Sequence, residues 1–158
     1  MAKEDERKHL FCYLEERFGI PERLFDDYLL FGRNKSWYLL RGGLQLVAAS
    51  RLKVSKVGLR AFQKVGAFIK PTTRFIQVFG HAATKARLEI GEEQLQRLLA
   101  GQGLHMDLDL SKGYVILALR QNPILGLGFF IDGKVRSQIP RRELRQSMLE
   151  ELEVKSEE

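Results

Sequence analysis

Gly113-Tyr114-Val115-Ile116-Leu117-Ala118-Leu119 and, after Arg120-Gln121-Asn122-Pro123, Ile124-Leu125-Gly126-Leu127-Gly128-Phe129-Phe130-Ile131-Asp132-Gly133-Lys134-Val135-Arg136-Ser137-Gln138-Ile139 decide the fold of this chain. The runs are apolar, of strand length and bounded by turn residues. Asp132-Gly133 is the kind of dipeptide that closes a tight hairpin, because both positions tolerate positive φ. Adding Met106 to Leu110, joined through Ser111-Lys112, gives closely spaced strands that predict a small barrel. Gly126 and Gly128 flank Leu127 inside a strand, where glycine costs stability unless the chain bends sharply or another backbone comes close. A barrel corner accounts for both.

Working upstream, Gly91 to Ala100 reads as a helix, with Glu92 and Glu93 complementing the dipole in its first turn and Leu95, Leu98 and Leu99 turned inward. Gly101 caps it. Lys85 to Glu89 is extended in character. Pro71-Thr72-Thr73 opens a short helix in which Phe75, Ile76 and Phe79 are spaced for burial, ended by Gly80. Lys53 to Lys70 fits no single period.

At the N-terminus, residues 4–18 form an amphipathic helix with Leu10, Phe11, Leu14 and Phe18 on one face, stopped at Gly19. Pro21 starts a short second helix to Asp27, whose Leu24 and Phe25 are placed to pack on the first. Tyr28 to Gly32 and Ser36 to Leu40 predict a hairpin around Arg33-Asn34-Lys35, and Leu44 to Ser50 a third strand. Beyond Pro140, Leu144, Met148 and Leu152 recur at helical spacing before an acidic end. The class is therefore α+β. The expected units are a small α/β unit over 1–70, a pseudo-barrel of short strands with one or two helices over 71–142, and a helix with an acidic tail over 143–158.

The chain has 158 residues, 44% of them hydrophobic, enough for a real core without staples. No run approaches the roughly 18–20 apolar residues that cross a bilayer, and Met1-Ala2-Lys3-Glu4-Asp5-Glu6-Arg7 is no secretory signal, so no membrane partner and a cytoplasmic location are expected. The single cysteine, Cys12, stands between Phe11 and Tyr13, where a small buried hydrophobe is the expected role.

Charge is more informative than composition. There are 26 Lys and Arg against 20 Asp and Glu, a net charge of +6, and the excess is concentrated. From Arg41 to Arg87 there is no acid at all, while Arg41, Arg51, Lys53, Lys56, Arg60, Lys64, Lys70, Arg74, Lys85 and Arg87 fall in the same window. A window of that length would ordinarily hold roughly six acids. Solvation requires no single sign, whereas a polyanion does, because each neutralised phosphate releases counterions. Arg51, Lys53 and Lys56 are the central candidates for phosphate contact, and the N-terminal unit would share the grip.

A family resemblance rests on Phe79-Gly80-His81-Ala82-Ala83-Thr84-Lys85, the helix with Gly101-Gln102-Gly103, Gly113-Tyr114-Val115-Ile116, Leu125-Gly126-Leu127-Gly128-Phe129, Asp132-Gly133-Lys134 and Ile139-Pro140-Arg141-Arg142. These resemble the PUA-like module at the C-terminus of Sun-family RNA cytosine-5 methyltransferases, and the N-terminal unit resembles a pre-PUA arrangement. The resemblance implies an RNA grip along the helix, its following loop and a nearby strand. It nominates Lys85, Arg87, Gly101, Gly103, Arg136, Arg141 and Arg142. The methyltransferase part is missing from this sequence: there is no Gly-rich loop for S-adenosylmethionine and no Pro-Cys motif, since Cys12 stands in Phe-Cys-Tyr.

Other chemistry finds no support. His9, His81 and His105 are scattered, no Gly-x-Ser-x-Gly elbow or complete phosphate loop occurs, and neither catalytic residues, a metal nor a cofactor is expected. Trp37, Tyr38 and Tyr114 lie in strand patterns where core packing outweighs base stacking. The expectation is an RNA-binding protein without catalysis, acting on structured ribosomal or transfer RNA in ribosome assembly or RNA modification. A subunit that docks onto a separate RNA methyltransferase or other RNA-modifying enzyme is the rival, separable by the salt dependence of RNA binding. Besides RNA, the expected partners are an RNA-modifying enzyme or a ribosome-assembly factor.

Overall fold

Helix α1, Glu4–Phe18, forms as its periodicity predicts, and Leu10, Phe11, Leu14 and Phe18 are the residues it buries. Acids fill its first turn and Gly19, at φ 67°, ends it in the left-handed conformation. The computed structural model describes residues 1–42, 58–120 and 123–140. The chain divides into two compact units, Met1–Lys85 and Ala86–Glu158.

In the first unit α1 is followed by a single 3-10 turn, Glu22–Phe25, in place of the expected second helix. Phe25 is buried and stacks on Phe11 with ring centroids 4.5 Å apart, but Leu24 is 40% exposed. A period of three turns Leu24 away from the side that Phe25 occupies. Arg7 fastens this turn to α1: its guanidinium donates to the Phe25 and Tyr28 carbonyls at 2.6 and 2.8 Å and lies 4.8 Å over the Phe11 ring.

Strands β1 (Tyr28–Arg33), β2 (Ser36–Arg41), β3 (Leu59–Val65) and β4 (Phe68–Pro71) make an antiparallel sheet in that order. The predicted hairpin is present, its turn at Asn34 and Lys35, both with positive φ. Two strands occupy the stretch that fitted no single period. The reason is visible in the register, which shifts between Trp37 and Tyr38 where β2 pairs with β3, so alternation breaks mid-strand. The expected third strand, Leu44 to Ser50, lies outside the described residues.

Helix α2, Thr73–Phe79, starts where expected, with the Thr72 hydroxyl accepting from the Phe75 N–H at 3.2 Å. Phe11, Phe25, Phe62, Phe75 and Phe79 form one aromatic core, with Phe62 and Phe75 5.1 Å apart and Phe25 and Phe79 also 5.1 Å apart. That core packs α2 into the first unit, and the Thr84 and Lys85 N–H groups reach the Phe18 carbonyl at 2.9 and 3.0 Å, so the unit runs to Lys85, although the expected boundary stood at 70.

The second unit is a mixed five-stranded half-barrel, order β5-β7-β8-β9-β6, with β5 Arg87–Ile90, β6 Leu104–His105, β7 Gly113–Leu119, β8 Ile124–Ile131 and β9 Lys134–Ser137. The decisive runs fold as β7 and β8, and the Asp132-Gly133 turn has φ 52° and 73°, the two positive values a tight hairpin needs. Met106 to Leu110 is not a strand. Pairing with β9 stops at Leu104–Val135 and His105–Lys134, and the Met106 N–H bonds to the Gly133 carbonyl inside the turn, so β9 offers no further ladder to residues 107–110.

Gly128 sits where another strand comes close: a Cβ on it would stand 3.1 Å from the Arg136 carbonyl oxygen. Gly126 lies beside a register shift at Leu117/Ala118. Helix α3, Glu92–Leu99, buries Leu95 and Leu98. Among the described residues no helix is long and apolar enough to cross a membrane.

Candidate nucleic-acid interface

Helix α3 ends in a double closure: the Gly101 N–H reaches the Leu98 carbonyl at 3.0 Å and the Gln102 N–H reaches the Arg97 carbonyl at 2.9 Å, with Gly101 at φ 81°. This is the Schellman arrangement, which requires a residue comfortable in the left-handed region. It also fixes what the loop can offer. The Gly101 and Gln102 amides are spent inside the cap, so the loop presents shape rather than a cradle of free amides.

Beyond the loop the chain enters β6 at Leu104, which pairs with Val135 of β9. Val135 is buried, so its neighbours Lys134 and Arg136, two apart on the strand, project from the opposite face. Their stems pass close to the loop: a Cβ on Gly103 would stand 3.7 Å from Lys134 Cδ and 3.6 Å from Arg136 Cγ. Between loop and strand lies a groove of about 430 Å³ bordered by Leu98, Gly101, Gln102, Gly103, Lys134, Arg136, Ser137, Gln138 and Ile139. It is lined by two cations, amide and hydroxyl groups, and no carboxylate. Side chains at i and i+2 of a strand are about 6.6 Å apart, the scale of a step between successive phosphates.

The structure thus brings together Gly101, Gly103 and Arg136 of the expected residues. Arg87 is not among the groove's lining residues. It is half-buried on β5, and β7 and β8 stand between β5 and β9 in the sheet. Lys85 is exposed at the end of the first unit. Arg51, Lys53, Lys56, Arg141 and Arg142 lie outside the described residues. Lys134, Gln102, Ser137 and Gln138 also line the groove and are not among the expected residues. Lys134 is legible in the sequence, since with Arg136 it straddles an apolar Val135 directly after a hairpin turn.

Of the aromatic candidates, Tyr114 is buried against Phe129 with centroids 5.1 Å apart, and burial pushes its hydroxyl pKa up. Trp37 is buried too, its Nε1 donating to Glu6 Oε1 at 2.6 Å. Tyr38 is half-buried. Cys12 is exposed rather than buried, because one step on from Phe11 the helix turns away from the core. Its Sγ donates to Glu16 Oε1 at 3.5 Å, and that carboxylate pushes the thiol pKa up, away from the reactive thiolate. Among the described residues no group of three His, Cys, Asp or Glu side chains could hold a metal ion.

No family model matches the chain. Among curated proteins it is similar to the ribosomal RNA small subunit methyltransferase F of Psychromonas ingrahamii, at 26% identity over 146 residues. The similarity covers 89% of this chain but 29% of that protein, so the chain spans less than a third of its relative's length.

Proposed function

We propose that this chain binds RNA through the groove between the Gly101–Gly103 loop and β9, with Lys134 and Arg136 pairing with backbone phosphates and the loop selecting shape. The observation that carries the reading is that groove: two cations on adjacent same-face positions, flanking a glycine loop, with no acid in the lining. Arginine gives a planar, bidentate match to phosphate, and lysine a mobile point charge. The acid-free window Arg41 to Arg87 supports the same ligand from the first unit, where Arg41, Arg60, Lys64, Arg74 and Lys85 are solvent-accessible.

The RNA class comes from the relative. Its name places it on small-subunit ribosomal RNA, and the similarity spans nearly all of this chain. In this reading the chain is a PUA-like grip on structured RNA, ribosomal in the first instance, serving modification or assembly without catalysis of its own. Double-stranded and folded RNA is recognised mainly by shape and backbone contacts, which suits a groove built from cations and glycines.

Ultraviolet crosslinking in cells, with sequencing of the attached RNA and mapping of the crosslinked peptide, tests this reading. Ribosomal RNA joined to the peptides holding Gln102 or Gln138 is expected. A crosslinked pool without enrichment of any structured RNA would overturn it.

A further inference from the structure

The sheet of the first unit has two faces of opposite character. Trp37, Leu39 and Phe62 look toward α1 and α2, as the Phe11–Phe62, Phe62–Phe75 and Trp37–Glu6 contacts show. The other face is defined by the cross-strand partners: Phe31 opposite Tyr38, Tyr38 opposite Arg60, Ser36 opposite Gln63, Gln63 opposite Lys70, and Val65 opposite Phe68. Hydrogen bonds from Arg60 to Ser36 Oγ at 2.9 Å and to Gln63 Oε1 at 2.9 Å confirm that these residues share a side.

At the hairpin end of this face Val65 is 44% and Phe68 is 48% exposed. Gly66 makes the turn with φ +59° and nothing within 4 Å of where a Cβ would stand. Phe31 and Tyr38 are half-buried further along. At the far end the same face carries Leu29 and a buried Leu40, and in its middle Ser36 is buried and bonded to Arg60, so the accessible apolar surface is the Val65–Phe68 tip together with the exposed parts of Phe31 and Tyr38. Single exposed apolar side chains are ordinary on any surface. Here two are paired directly across a hairpin, on the same face as two further aromatic rings beyond the Ser36–Gln63–Lys70 row.

The electrostatics select the occupant. On this face the strands present Arg33, Arg60 and Lys70, and β1 to β4 contain not one Asp or Glu. An apolar patch meant for a protein partner is usually depleted of charge at its centre, whereas aromatic rings interleaved with cations match a nucleic-acid strand whose bases stack while its phosphates pair. Phe68 also borders a second groove of about 290 Å³ with Tyr13 and Glu16, but the Glu16 carboxylate there repels a phosphate. The sheet side is the one that suits RNA.

We propose that this sheet face is a stacking platform for an unpaired stretch of RNA, with Phe68 and Tyr38 receiving bases and Arg60 and Lys70 the adjoining phosphates. The proposal rests on the RNA-binding reading and adds to it a substrate class, single-stranded RNA. Duplex bases are already stacked on one another and cannot use the platform.

The test compares the wild-type chain with Phe68→Ala, Phe68→Leu and Phe68→Trp, using fluorescence anisotropy on a labelled oligouridylate and on a blunt RNA duplex. Phe68→Ala and Phe68→Leu are expected to weaken oligouridylate binding about 5- to 150-fold, the range of 1–3 kcal/mol per stacked base. Phe68→Trp should retain it, and duplex binding and the salt dependence should stay the same. Circular dichroism checks that each variant folds. Equal oligouridylate affinity in the Leu, Ala and wild-type proteins would overturn the platform and leave the tip as a protein contact. The groove is scored separately with Arg136→Ala. If that change weakens ribosomal RNA binding while the Phe68 variants do not, only the platform falls. If the wild type binds neither RNA, both readings fall.

Discussion

Gly128 and Val135 approach so closely that a Cβ on the glycine would stand 2.9 Å from Val135 Cγ1, inside the distance real Cβ atoms keep. The Arg136 carbonyl and Leu117 Cδ1 crowd the same point at 3.1 and 3.2 Å. The glycine that looks weakening in the sequence is therefore what lets β9, and with it Lys134 and Arg136, pair closely beside β8. Gly128→Ala should destabilise the second unit by about 1–3 kcal/mol, as overpacking does. It should also weaken RNA binding by shifting β9. Urea unfolding and a binding titration on the same variant check both effects.

Arg7 donates to two backbone carbonyls, Phe25 at 2.6 Å and Tyr28 at 2.8 Å. Removing it leaves both carbonyls, part-buried, without their charged partner, and strips the cation from the Phe11 ring. Arg7→Ala should cost about 1.5–3 kcal/mol, the range for a hydrogen bond to a charged group. Arg7→Lys should recover only part of it, because an ammonium lacks the planar fork that spans two acceptors. Denaturant midpoints of the three proteins decide this.

Much of this structure was legible because the relevant signals are local. The runs at Gly113 and Ile124, the Asp132-Gly133 turn, the α1 face and the helix opened by Pro71-Thr72-Thr73 each depend on neighbours in sequence, and each formed where its residues indicated. The illegible parts depend on partners distant in sequence. The register shift beside Trp37 hid β3, and the end of β9 at its turn removed a strand expected after Met106. The apolar neighbours of Cys12 suggest burial, although the wheel of α1 turns it outward. For the groove, Gly101, Gly103 and Arg136 came from a family resemblance, while Lys134 needed the strand's phase. Arg87 stands on β5, which does not border the groove.

The exposed Cys12 thiol titrates above the ordinary thiol range because Glu16 accepts its proton and opposes the thiolate, with Glu22 and Glu15 adding to the effect. Its reaction with a disulfide reagent should therefore be slow at pH 8 and rise only at higher pH. Glu16→Gln lowers the pKa and should speed the reaction severalfold at pH 8. The pH–rate profiles of the two proteins give the answer, and coincident profiles would remove Glu16 as the cause.

Gly101 at φ 81° is a conformational requirement of the α3 cap. Gly101→Ala should cost about 1–2 kcal/mol through the left-handed penalty, and Gly101→Asn less, since asparagine tolerates that region. Thermal unfolding of the pair ranks them.

The central claim is that Lys134 and Arg136 hold RNA by its backbone. The most direct measurement is the slope of log K against log salt for a ribosomal RNA fragment, in the wild type and in Lys134→Ala/Arg136→Ala. Affinity is expected to fall steeply with salt in the wild type, with a slope shallower by about one per removed cation in the variant and weakening that is uniform across RNA sequences. A variant whose affinity and slope match the wild type would contradict it.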